Sequence, residues 1–120
     1  MANPFCHIEL SSNDIGKAKA FYQKLFDWKL EDNQMGEMTY TMIQTGQSVG
    51  GGMMKNPAPG TPSNWLAYVQ VDDVKAVTEQ AKQLGAAICK EKTEVPGHGW
   101  FSIINAPDGA MLGLWQAKSR

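Results

Sequence analysis

Two stretches of the chain carry the same pattern of apolar and polar positions at helical spacing. Between Asp14 and Leu25 the apolar positions are Ile15, Ala18, Tyr22 and Leu25; between Asp73 and Leu84 they are Val74, Val77, Ala81 and Leu84. Each residue of the second set lies 59 places after its counterpart in the first. Steps of three, four and three put each set on one face of a helix. Asn13/Asp14 and Asp72/Asp73 supply N-terminal caps, with carboxylates that favour the helix dipole.

A short strand-like run precedes each predicted helix, Phe5 to Leu10 in one case and Trp65 to Val71 in the other. Three more follow each helix: Trp28–Glu31, Met38–Thr45 and Ser48–Met54, then Ala87–Cys89, Trp100–Asn105 and Met111–Gln116. Strand, helix and three strands, repeated, predict an α+β fold of two βαβββ modules. Module one is expected over residues 3–54 and module two over 64–117, within one domain covering 1–120. Residues 55–63 hold three prolines and a glycine and read as the linker.

Composition narrows the function without naming it. Eleven basic residues against twelve acidic ones give a net charge of −1, and no basic run gathers charge for nucleic acid or an anionic membrane. No apolar stretch is long enough to span a bilayer, and Met-Ala-Asn-Pro-Phe does not read as a signal peptide. A cytoplasmic location is the expectation. The two cysteines, Cys6 and Cys89, lack metal-type spacing, and with Trp28 and Phe26 they are expected in the core. There is no Gly-x-Ser-x-Gly elbow, phosphate-cradling loop or Cys-x-x-Cys pair.

Five segments together resemble the vicinal oxygen chelate superfamily, which groups glyoxalase I, bleomycin-resistance proteins and extradiol dioxygenases. They are Phe5-Cys-His-Ile-Glu-Leu, Ala20-Phe-Tyr-Gln-Lys-Leu-Phe-Asp-Trp, Gly50-Gly-Gly-Met-Met, Val71-Asp-Asp-Val and Ala106-Pro-Asp-Gly-Ala-Met-Leu-Gly-Leu-Trp. The resemblance implies curved four-stranded sheets in an open, cleft-enclosing barrel with helices outside, a small-molecule ligand inside and a two-fold homodimer. It fixes the fold and leaves the chemistry open.

Metal-dependent members of that superfamily hold a divalent ion with His on the first strand, Glu on the fourth, His on the fifth and Glu on the eighth. His7 falls at the first position. Its counterpart in the repeat is Leu66, the eighth-strand glutamate position is Gly113, and Gly50-Gly-Gly-Met-Met offers no donor on the fourth. The usual metal is therefore not expected, since one imidazole does not make a catalytic first shell. A rearranged site from His7, Glu9 and His98, in its Gly-His-Gly loop, is the alternative for a divalent ion.

Strand parity selects the cleft lining. Cys6, Ile8 and Leu10 should face the helices, leaving Phe5, His7 and Glu9 to the cleft. The same alternation gives Leu66, Tyr68 and Gln70 on the fifth strand and Met111, Gly113 and Trp115 on the eighth, with Met53 and Trp100 added from the fourth and seventh. Such a lining suits a partly aromatic or apolar ligand, with His7 and Glu9 as candidate catalytic residues. Three functions stay open: a metal-free binding protein, a metal-dependent lyase, isomerase or dioxygenase using His7 and Glu9, and a structural module whose cleft its own side chains fill.

Overall fold

The structure, a computed structural model, describes residues 3–46, 49–57 and 60–118. The element order is β1 (Phe5–Ser12), α1 (Ile15–Leu25), β2 (Lys29–Met35), β3 (Met38–Gln44), β4 (Gly50–Lys55), β5 (Asn64–Gln70), α2 (Val74–Gln83), β6 (Ala87–Val95), β7 (Gly99–Asn105) and β8 (Met111–Ala117). This is the twofold βαβββ order that the repeat implied, and the fold is α+β. The predicted fourth strand began at Ser48, which lies outside the described residues, as do positions 58 and 59 of the linker.

Two compact units divide the chain. One is His7–Leu66; the other runs from Ala67 onward and includes the segment ending at Cys6. The division falls inside β1 and β5, rather than in the proline-rich linker. Within the first unit the strands lie in the order β2-β3-β4-β1, with β1 parallel to β4 and β2–β3–β4 antiparallel. The second unit has the order β5-β8-β7-β6 and the same sense of pairing. Neither four-stranded order returns on itself, and the sheet is not closed into a barrel.

Each helix starts on its aspartate. Asp14 accepts a hydrogen bond from the Lys17 backbone N–H at 3.0 Å, and Asp73 does the same for Ala76 at 3.1 Å. Such caps stabilise a helix by about 1 kcal/mol each. Three of the four repeated positions then pack inward. Ile15, Ala18 and Tyr22 cover Leu10, Ile43 and Met53, while Val77 and Ala81 pack with Val74 against Val71, Ile104 and Leu114. The fourth pair does not: Leu25 and Leu84, at the helix ends, are 56% and 72% exposed.

β2 and β6 are longer than the hydrophobic pattern predicted, reaching Met35 and Val95. Both are the outer strands of their units, where backbone pairing on one side suffices and polar side chains are favoured. Asp32 illustrates this. It accepts hydrogen bonds from Lys19 of α1 at 2.8 Å and Thr41 of β3 at 2.7 Å, so a residue that reads as a turn former sits in a strand. β6 also carries register irregularities between Ile88 and Thr93 that break its alternation.

After β4 the chain is clamped by Asn56, whose buried amide donates to Asn13 Oδ1 at 3.0 Å and to Thr61 Oγ1 at 3.1 Å. Asn13 in turn donates to the Thr61 carbonyl. The stretch expected to be a plain linker is thus tied to the start of α1.

Candidate functional site

The alternation of β1 brings His7 and Glu9 to one face, away from α1. There His7 and Glu9 meet a third residue, Tyr40 of β3. The Tyr40 hydroxyl donates to Glu9 Oε2 at 2.8 Å, and His7 Nε2 lies 2.8 Å from the same hydroxyl oxygen. The imidazole and phenol planes are inclined by 22°. His7 and Glu9 are half-buried and Tyr40 is 9% exposed. Burial pushes the His7 pKa below its ordinary value, and the nearby Glu9 charge opposes that shift in part.

A glycine makes room for the phenol. Gly52 of β4 pairs with Glu9 of β1, and a β-carbon there would overlap the Tyr40 hydroxyl and ring carbons. The second unit repeats the device with another ring. Gly113 of β8 pairs with Tyr68 of β5, and a β-carbon at 113 would overlap the Tyr68 ring. Tyr68 is 5% exposed and meets Phe101 of β7 edge-on at 6.3 Å. Phe101 pairs with Trp115, giving this unit a sheet face of Tyr68, Phe101 and Trp115.

The expected lining is thus partly rearranged. His7 and Glu9 come together through Tyr40; Tyr68 and Trp115 share the non-helical face of their unit. Leu66 is half-buried on β5, Gln70 is exposed at its end, and Met111 is 47% exposed with its sulfur 3.6 Å from the Cys89 thiol. Met53 is a correction. It is fully buried beside Leu10, with which it pairs across β1 and β4, so it belongs to the helix-side core. Trp100 is a second. It packs against the core under α2, with Lys92 over its ring, because β7 turns Trp100, Ser102 and Ile104 inward and Phe101 outward.

Cys89 and Phe26 are also corrected, both being exposed rather than core. Cys6 is half-buried and donates to the Tyr68 carbonyl at 3.6 Å; both thiols are free. Sequence reasoning missed Tyr40 and Phe101. For Tyr40 the available signal was the Gly50-Gly-Gly run, which leaves space for a large neighbour. For Phe101 it was the two-residue alternation with buried Ser102.

The donor set does not fit the four-ligand metal centre. Gly52 and Gly113, the positions on β4 and β8 that pair with β1 and β5 at matching places, are each filled by a tyrosine ring. Among the described residues no three His, Cys, Asp or Glu side chains gather where they could hold one ion. His98 sits in the exposed turn between β6 and β7.

The other face of β1 is apolar. Ile8, Trp28, Ile43, Val49, Gly50, Gly51 and Trp65 line a groove of about 230 Å³. Trp28 and Trp65 meet there edge-on, 6.3 Å between centroids. Phe21, Leu25, Phe26 and Trp65 extend the exposed apolar surface of this unit. No helix among the described residues is long and apolar enough to cross a membrane.

Comparison with known proteins agrees with this architecture. The chain is 36% identical over 116 residues to "Putative glyoxylase CFP32" of Mycobacterium bovis and of Mycobacterium tuberculosis, covering 92% of this chain and 44% of each relative. It therefore spans less than half the length of these curated relatives. Among solved structures, a hypothetical protein of Bacillus halodurans C-125 superposes with a TM-score of 0.77 at 12% identity, covering 100% of this chain and 98% of that one. Methylmalonyl-CoA epimerase of Mycobacterium tuberculosis gives 0.71 at 12% identity, covering 96% and 88%. At such identities the likeness establishes the fold alone. Residues 5–114 match the family as a whole, and the chain belongs to the glyoxalase/bleomycin resistance protein/dioxygenase superfamily.

Proposed function

We propose that this chain is a small-molecule-binding member of its superfamily that takes a partly aromatic or apolar ligand without the usual four-ligand metal centre. The observation that carries the reading is the chain of hydrogen bonds from His7 through Tyr40 to Glu9, three polar groups converging on one sheet face. A few placed polar groups on an otherwise apolar surface are what orient such a ligand. The second unit presents, on its own sheet face, the aromatic side chains Tyr68, Phe101 and Trp115. Gln70, Leu66 and Met111 remain contributors, and we retain 3–54 and 64–117 as the two modules of one domain, with the protein acting in the cytoplasm.

The test is a binding screen. Isothermal titration with planar aromatic compounds should yield a saturable ligand whose affinity falls in His7→Ala and Tyr40→Phe. Equal affinity in the wild-type and His7→Ala proteins would end the reading.

A second reading, an enzyme using His7 and Glu9 as acid and base, has one observation in its favour: the two are linked by a hydroxyl able to pass a proton. The relative named as a glyoxylase suggests the same direction. Turnover that requires an added divalent ion and vanishes in His7→Ala would establish the metal-dependent form. For quaternary structure we propose a homodimer, supported by the exposed rings of Phe21, Phe26 and Trp65, which gather around Tyr22 rather than lying scattered. Sedimentation of the purified chain at the monomer mass would exclude it.

A further inference from the structure

We infer that Tyr40 is a positioning residue that fixes the proton of neutral His7 on Nε2, making Nδ1 the nitrogen that accepts any proton or hydrogen bond. The argument is one of counting. A phenol has a single proton, and the Tyr40 hydroxyl directs it to Glu9 Oε2. Toward His7 its oxygen is then an acceptor, so the nitrogen 2.8 Å away must carry hydrogen. An imidazole in its neutral form has one N–H, which leaves Nδ1 as its basic atom.

Packing holds the phenol to this task. Tyr40 is seated over Gly52, where any β-carbon would overlap its hydroxyl and ring, and it retains only 9% of its surface. The ring therefore has little freedom to swing its hydroxyl away from His7 and Glu9. Were His7 to take a proton from a bound molecule, it would do so at Nδ1. The electron pair would stay on the donor atom, and the new imidazolium would keep Nε2–H on the Tyr40 oxygen. Glu9, at the far side of the hydroxyl, would carry the compensating charge. No metal or further reactant enters the step.

This inference rests on His7 being part of the binding face, yet its test needs no ligand. Nitrogen-15 spectra of the full chain, recorded above the His7 pKa, report which ring nitrogen bears the proton, with His98 as the internal reference. The expected result is an Nε2–H form of His7 whose ring proton exchanges slowly with water. In Tyr40→Phe, which keeps the ring over Gly52 but removes the hydroxyl, that proton should exchange about tenfold faster, as for one lost hydrogen bond of ordinary strength. An unchanged melting temperature with the faster exchange would separate positioning from a structural role. An Nδ1–H form in the wild-type protein, or equal exchange in Tyr40→Phe, would overturn the inference. A failed ligand screen with the expected spectra would instead count against the proposed function alone.

Discussion

Gly52 lies directly beneath the ring of Tyr40, and the two residues define each other: no side chain fits at 52 while the phenol stays in place. Gly52→Ala should therefore displace Tyr40 and separate it from His7 and Glu9. We expect a loss of about 1–3 kcal/mol, the usual cost of overpacking a filled site. Gly113→Ala should cost a similar amount through Tyr68. Urea denaturation measures both, and wild-type stability in either variant would contradict the packing described.

Met53 and Met111 are thioethers in opposite environments, one fully buried and one 47% exposed. Met53→Ala should destabilise the protein by about 2–5 kcal/mol, the range for emptying a core site. Met111→Ala should change stability by under about 0.5 kcal/mol, as for an ordinary surface position. Parallel melting curves would decide between this and a ligand-facing role for Met53.

His7 gives stability a pH dependence. Its pKa in the fold lies below the ordinary 6.5, chiefly through burial and against the opposing pull of Glu9. Between the lowered folded value and 6.5 the unfolded chain binds more protons than the folded one, so stability falls as pH falls through that window. Tyr40 also touches the ring, its hydroxyl oxygen 2.8 Å from Nε2. His7→Gln should flatten this part of the curve of midpoint against pH. An equally steep slope in the variant would assign the effect elsewhere.

The two thiols should differ in reactivity. Cys89 is exposed, whereas Cys6 is half-buried with its thiol pKa pushed up by desolvation. A limiting amount of a maleimide should label Cys89 first, as peptide mapping would show. Preferential labelling of Cys6 would contradict this placement.

The fold was legible because it is written twice. The paired positions Ile15/Val74, Ala18/Val77 and Tyr22/Ala81 locate both helices and the core each one covers. What stayed hidden follows from physical rules that periodicity does not record. Asp32 and the run Lys90-Glu-Lys in outer strands look like loop residues, since an outer strand needs little apolar surface. Trp100 faces the helix side because strict alternation, anchored by buried Ser102, decides its orientation, and side-chain size is a poor guide to that. Tyr40 escaped because its importance comes from an empty place, the missing side chain of Gly52, and a vacancy in one strand points to no particular residue in another.

β1 also governs more than its length suggests. Its imidazole and carboxylate at positions 7 and 9 alternate with Ile8 and Leu10, which serve the opposite surface. Sliding this strand by a single residue along β4 would send Ile8 toward Tyr40 and push His7 and Glu9 into the hydrocarbon beneath α1. An insertion or deletion ahead of His7 that shifts the pairing should thus abolish folding and binding together, whereas one in the Gly97–Gly99 turn has no such double effect.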